Sequence, residues 1–131
     1  FDARKVVLFA VPGAFTPTCS ARHLPGYVEK FEAFRQRGID VYCMAVNDPF
    51  VMKAWAADQS VPDGLLMLSD GNAELTRALG LELDASASGM GIRSRRFALY
   101  VDDGVVREAW VEQPGQFEVS SAEYVLEHLP T

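Results

Sequence analysis

Cys19 stands near the end of the run Pro12-Gly13-Ala14-Phe15-Thr16-Pro17-Thr18-Cys19-Ser20, three residues after Thr16 and seven after Pro12. A cysteine attacks an electrophile only as the thiolate, so its surroundings decide whether it has chemistry to do. An apolar run at residues 6–11 enters this stretch, and an amphipathic segment of about 22–37 leaves it. Pro12-Gly13 breaks the strand, and Thr16-Pro17 reads as a helix N-cap followed by proline at the first helical position. Cys19 then falls in the first helical turn. There, unpaired N–H groups and the positive end of the helix dipole favour an ionised sulfur. Cys19 is a candidate nucleophile, set against the plainer reading of a buried, inert thiol.

Other side chains could serve it. Thr16 suits an N-cap, and its hydroxyl lies one helical turn from the sulfur. His23, four residues on, shares a helix face with Cys19 and reads as a shaping histidine rather than a catalytic base, because Pro25-Gly26 should kink or delay the helix between them and the core. Arg93 and Arg95 share strand parity with Phe97, whereas Arg96 shares parity with Ala98, so the two groups do different jobs. A thiolate in a chain of formal net charge −6 calls for one aimed cation, and parity alone leaves open which arginine that is. Cys43 alternates with Val41 and Ala45 inside a second strand and reads as buried. A disulfide with Cys19 would need a strand-interior residue to swing out. His128, near a helix C-terminus, complements the dipole.

The elements that must position these residues follow from the pattern. Residues 5–11 form a continuous apolar run, suited to a strand buried on both faces. Leu24, Val28, Phe31 and Phe34 recur at helical spacing, and Gly38 stops that helix. Residues 39–46 form the second strand of a βαβ unit. Asp48-Pro49 opens a helix over 49–59 with Phe50, Ala54 and Trp55 as its apolar side. Residues 65–68 read as a short buried strand, 73–79 as a short helix stopped by Gly80, and 82–92 as a loop without period. Residues 96–101 and 105–111 make a hairpin around Asp103-Gly104, 113–115 a turn, and Ser120-x-x-Glu123 a capping box opening a last helix to about His128. The order β-α-β-α-β-α-β-β-α predicts an α/β domain with a mixed sheet, thioredoxin-like, in one domain over 1–131.

The chain has 131 residues, 49% hydrophobic and 23% charged, enough for a real core. Its acidic balance argues against a nucleic-acid footprint or an anionic membrane partner. No apolar run approaches the ~20 residues of a membrane helix. Two cysteines and two histidines, scattered, make neither a disulfide scaffold nor a metal-ligand set, and a reducing compartment is the default. The start at Phe1, already inside a strand-like pattern, suggests that earlier residues, and any targeting segment, are missing.

The stretch from Pro12 to Ser20, with His23-Leu24-Pro25-Gly26-Tyr27 after it, resembles the active-site stretch of type II peroxiredoxins. Val46-Asn47-Asp48-Pro49-Phe50-Val51-Met52 and Arg93-Ser94-Arg95-Arg96-Phe97-Ala98-Leu99 extend the resemblance over nearly the whole chain. It implies a thioredoxin-like fold with further strands before Phe1, and a peroxidatic role for Cys19 through a sulfenic acid. It gives Thr16 a hydrogen-bonding role toward the thiolate or a bound hydroperoxide. Pro12 becomes a shield shaping the pocket. Arg96, the arginine directly before the strand phenylalanine, becomes the cation, and the backbone N–H groups of Thr18 and Cys19 hold the substrate. Residues 116–121 lack the resolving cysteine of some relatives, which implies an external thiol reductant: glutathione with glutaredoxin, or thioredoxin. The resemblance further implies a homodimer, a cytoplasmic or organellar setting, and no metal, flavin or haem. A peroxide sensor passing its oxidation to a partner, and a non-catalytic thioredoxin-fold binding module, are the alternatives.

Overall fold

The computed structural model describes residues 4–113 and 116–129. Strand β1 (Lys5–Val11) lies at the centre of a five-stranded sheet and is buried from its second residue onward. It pairs in parallel with β2 (Ile39–Ala45), which pairs in parallel with the edge strand β3 (Leu65–Ser69). On its other side β1 pairs antiparallel with β6 (Phe97–Asp102), and β6 with β7 (Val105–Val111). The mixed sheet thus runs β3-β2-β1-β6-β7, a thioredoxin-like arrangement with flanking helices.

The continuous apolar run of β1 fills two cores, because successive side chains point to opposite faces. Val7, Phe9 and Val11, with Val41, Cys43 and Ala45 of β2, pack against α1 (Leu24–Gln36), α2 (Pro49–Asp58) and α4 (Ala122–His128) through Tyr27, Phe34, Trp55 and Val125. Val6, Leu8 and Ala10 pack on the other face with Tyr42, Met44, Phe97 and Leu99. Asp48 caps α2, its Oδ1 accepting from Val51 N at 2.9 Å, and Asp103-Gly104 turns the hairpin with both residues at positive φ. No helix among the described residues is long and apolar enough to cross a membrane.

Several local expectations are corrected. Residues 82–92 are not plain loop: β4 (Glu82–Asp84) pairs with β5 (Ile92–Ser94) around a 3₁₀ turn at Ser86–Ser88, and α3 (Glu74–Ala78) precedes them. Three-residue strands are too short for a period to show. The edge strand β3 is only partly buried, with Leu66 45% exposed. On α2 the buried residues are Met52 and Trp55, while Phe50 is 84% exposed and Ala54 also faces out. The last helix is capped one residue later than the capping box implied: Ser121 Oγ accepts from Tyr124 N, while Ser120 is engaged by Glu112. The turn at 113–115 falls partly outside the described residues.

Candidate active site

The helix that carries Cys19 begins at Pro17, and Ser20 N donates to Thr16 O at 2.9 Å, closing its first turn. Thr18 and Cys19 therefore occupy positions whose N–H groups a helix leaves without intrahelical acceptors. The helix does not run straight into α1. Cys19–His23 is a π-helical turn, and Pro25 follows immediately in the first turn of α1. The break expected at Pro25-Gly26 is expressed as this widened turn, because proline supplies no N–H to a tighter one. Thr16 is not a side-chain cap. Its hydroxyl donates to Gly13 O at 2.6 Å across the turn that leaves β1. With its proton committed there, the Thr16 oxygen presents lone pairs only, so it accepts rather than donates toward any further partner.

That turn is braced from several sides. Ala14 N donates to Asn47 Oδ1 at 2.9 Å, Trp55 Nε1 to Ser20 Oγ at 2.9 Å, and Arg93 Nη1 to Val46 O at 3.2 Å. Phe15 holds φ +63°, a left-handed conformation costing a bulky residue on the order of 1 kcal/mol or more. The bracing holds the chain in a shape its residues would not choose alone.

Arg96 is brought to Cys19 by the sheet. In the antiparallel β1–β6 pair Ala10 sits opposite Phe97, so the residue before β6 lies at the end of β1 from which the Cys19 loop departs. Arg96 Nη2 donates to Cys19 Sγ at 3.2 Å, and Arg96 Nη1 contacts His23 Nδ1 at 2.7 Å. A guanidinium has donors only, so His23 Nδ1 is the acceptor and the imidazole proton sits on Nε2. Nε2 in turn donates to Ser120 O at 3.0 Å, a carbonyl that also accepts from Tyr27 Oη at 2.7 Å. His23 is fully buried, against the rings of Phe9 and Phe117. Burial, with the Arg96 charge, pulls its pKa down to about 3 against the bond to Ser120 O, so it is a neutral acceptor for Arg96 at ordinary pH. Burial, with the charges of Cys43 and Glu112, pushes the Tyr27 phenol up, consistent with its role as donor.

A further buried group anchors Ser120. Glu112 Oε2 accepts from Glu118 N at 2.7 Å, Ser120 N at 2.9 Å and Ser120 Oγ at 2.7 Å. Glu112 N donates to Arg96 O, and Arg95 Nη2 donates to Glu112 O at 3.0 Å. No local motif or spacing marks this carboxylate. His23 is marked in the sequence only by its spacing from Cys19, since its partner Ser120 lies 97 residues away.

Cys19 is itself buried, and a pocket of about 200 Å³ opens beside it, walled by Pro12, Thr18, Arg96, Phe117 and Leu83 among others. The structure thus brings Pro12, Thr18, Cys19 and Arg96 together, with Thr16 at the first turn of the same helix. Arg93 is spent on Met90 O and Val46 O, away from the sulfur. Cys43 lies opposite Phe9 in the sheet interior, and burial, helped by the charge of Cys19, pushes its thiol well up. Both cysteines are free thiols. His128 Nδ1 lies 2.7 Å from Tyr124 O, at the end of α4.

The family model described as Redoxin matches residues 1–126. Peroxiredoxin-2B of Arabidopsis thaliana is 52% identical over 127 residues, covering 96% of this chain and 78% of that protein. The chain belongs to the peroxiredoxins. The chloroplastic peroxiredoxin-2E-2 of Oryza sativa subsp. japonica is 55% identical over 130 residues, and there the chain spans 58% of the relative's length. The crystal structure of reduced Prx3 in complex with H2O2 from Vibrio vulnificus is 52% identical, with a TM-score of 0.94 over 98% of this chain and 84% of that one. These likenesses fall on the type II branch, and peroxiredoxins as a family are thiol-dependent peroxidases. Around Cys19 the geometry holds more than a thiol and its arginine: the neutral His23 accepts from Arg96 on the side away from the sulfur.

Proposed function

We propose that the chain is a one-cysteine thiol peroxidase in which Cys19 reduces hydrogen peroxide or a small alkyl hydroperoxide. The observation that carries the reading is the Arg96 guanidinium in hydrogen-bond contact with Cys19 Sγ at the start of a helix, beside a pocket of small-molecule size. The thiolate attacks one peroxide oxygen, the O–O bond breaks, and the departing oxygen takes a proton to leave as water or an alcohol. Sulfur is oxidised to the sulfenic acid and the peroxide is reduced by the same two electrons. Arg96 and the N–H groups of Thr18 and Cys19 stabilise the negative charge as it moves from sulfur to oxygen. Thr16, with lone pairs only to offer, accepts the hydroperoxide proton and so orients the O–O bond. Pro12 walls the site from water.

Residues 116–121 carry no cysteine, and Cys43 is held inside the sheet, so an external thiol resolves the sulfenic acid. Glutathione with glutaredoxin, or thioredoxin, is the class of reductant, and a reducing compartment and a homodimer complete the reading. The test is the intact mass of the reduced protein seconds after one equivalent of hydrogen peroxide, with Cys19→Ser as control. A gain of one oxygen that vanishes in the variant supports the reading. Loss of two hydrogens makes Cys43 the resolving thiol, and no change refutes a peroxidase.

A further inference from the structure

The pocket beside Cys19 is positively charged within an acidic chain. Arg22, Arg95 and Arg96 all line it, and none of the three has a carboxylate partner among the described residues. Arg95 is fixed by its bond to Glu112 O. Arg96 spends one N–H on Cys19 and one on His23, leaving three of its five. The Arg22 guanidinium carbon lies 4.7 Å from the centre of the Phe117 ring, and that of Arg96 lies 5.7 Å from the same centre. One aromatic ring thus holds two guanidinium groups beside one small pocket. Such stacking uses the face of a guanidinium and leaves its in-plane N–H groups to bind. Glu112 is the one acid in the wall, but it is 3% exposed and its Oε2 already accepts three hydrogen bonds. Its charge is spent on the 118–120 loop.

We propose that this pocket binds the carboxylate of a small substrate, with Arg22 as the residue that selects for it; the inference rests on the thiol-peroxidase reading. A planar carboxylate fits a guanidinium fork with two parallel hydrogen bonds, and Leu83 and Phe117 offer apolar surface to a short stem. Two reactants could bring that group. A carboxylated hydroperoxide would use it in the oxidising half, ROOH + Cys19–S⁻ + H⁺ → ROH + Cys19–SOH. A carboxylated thiol would use it in the reducing half, RSH + Cys19–SOH → Cys19–S–S–R + H₂O, followed by a second RSH that releases RSSR and restores the Cys19 thiol.

The experiment compares reactant pairs that differ by one charge, in wild type and in Arg22→Gln. The reducing half is followed with 3-mercaptopropionate against 3-mercaptopropionamide, and the oxidising half with a carboxylated hydroperoxide against its methyl ester. Intrinsic reactivity differences cancel in the ratio of ratios. The expected loss of preference for the charged partner in Arg22→Gln is on the order of tenfold, the scale of one charge-assisted hydrogen bond. Arg22→Lys, which keeps the charge without the fork, should fall between. A loss confined to one half names the thiol or the hydroperoxide as the source, and equal ratios in wild type and variant in both halves overturn the inference. Titrating propionate into the reduced protein while following the Arg22 side-chain N–H resonance needs no turnover. Propionate binding without peroxide reduction sinks the peroxidase reading alone. Turnover with no charge preference and no propionate shift sinks the carboxylate site alone.

Discussion

The network behind Arg96 should make the protein acid-sensitive through one buried histidine. Protonating His23 puts a proton on Nδ1, which faces Arg96 Nη1 at 2.7 Å, so the acceptor is lost and two cations meet at a fully buried ring. The groups facing the ring are Arg96, the Ser120 carbonyl and the rings of Phe9, Tyr27 and Phe117, with the Glu112 carboxylate tied to Ser120, and none is an acid in contact with it. The folded-state pKa of about 3 lies below the ordinary 6.5, so between those values the unfolded chain binds the proton and the folded chain does not. Stability from this residue is complete above pH 6.5 and is lost as pH falls toward 3, at up to about 1.4 kcal/mol per pH unit. Integrated from pH 7 to pH 5, the loss is roughly 2 kcal/mol. The assay is urea unfolding at both pH values, in wild type and in His23→Gln, whose amide oxygen can accept from Arg96 while its NH₂ donates to Ser120 O. With a denaturant slope of about 2 kcal/mol/M, the wild-type midpoint should fall about 1 M further than that of the variant. Taking the difference removes every acid and base the two proteins share. Equal shifts in both proteins would refute the assigned tautomer and the buried neutral state with it.

Other perturbations test neighbouring links. Arg96→Gln removes the cation at Cys19 Sγ and should slow sulfenic acid formation by on the order of 10²–10³-fold, read by stopped-flow fluorescence; Arg96→Lys should recover little, because an ammonium cannot bridge sulfur and imidazole with a fixed fork. Thr16→Val deletes the acceptor and the bond to Gly13 O and should lower kcat/KM for peroxide by about tenfold, while Thr16→Ser should retain most of it. Glu112→Ala leaves Ser120 N and Ser120 Oγ without their acceptor in the interior and should cost about 3 kcal/mol, or roughly 10 °C in Tm by calorimetry. Because the Ser120 carbonyl then loses its anchor, peroxide reactivity should fall with it.

Local rules made much of the scaffold legible. The unbroken apolar run of β1 announced a strand buried on both faces, Asp48-Pro49 announced the start of α2, and Asp103-Gly104 announced the hairpin, because each signal is contained within a few residues. What was lost had no such local trace. The three-residue strands β4 and β5 exist because they pair with each other, and Phe50 stays in solvent because α2 turns Met52 and Trp55 inward. Ser120 looked like a helix cap by spacing. It is instead held by Glu112, eight residues earlier, and leaves the cap to Ser121.

The site divides along the same line. Cys19 and Thr16 were legible because strand end, turn and helix start are sequential. Which of three arginines reaches the sulfur was not legible from strand parity, which sorts residues by face and says nothing about depth along the strand; only the family resemblance singled out Arg96. The antiparallel register settles it: with Ala10 opposite Phe97, the residue immediately before β6 is the one level with the loop that carries Cys19. Arg95 points instead to the Glu112 carbonyl, and Arg93 reaches back to Val46, the residue after β2. The acceptor state of His23 is more remote still, since it depends on a carbonyl 97 residues away that a buried glutamate holds in place. A substitution that shifts the 112–120 segment should therefore act on Cys19 without touching it, by freeing His23 and letting the Arg96 fork rotate off the sulfur.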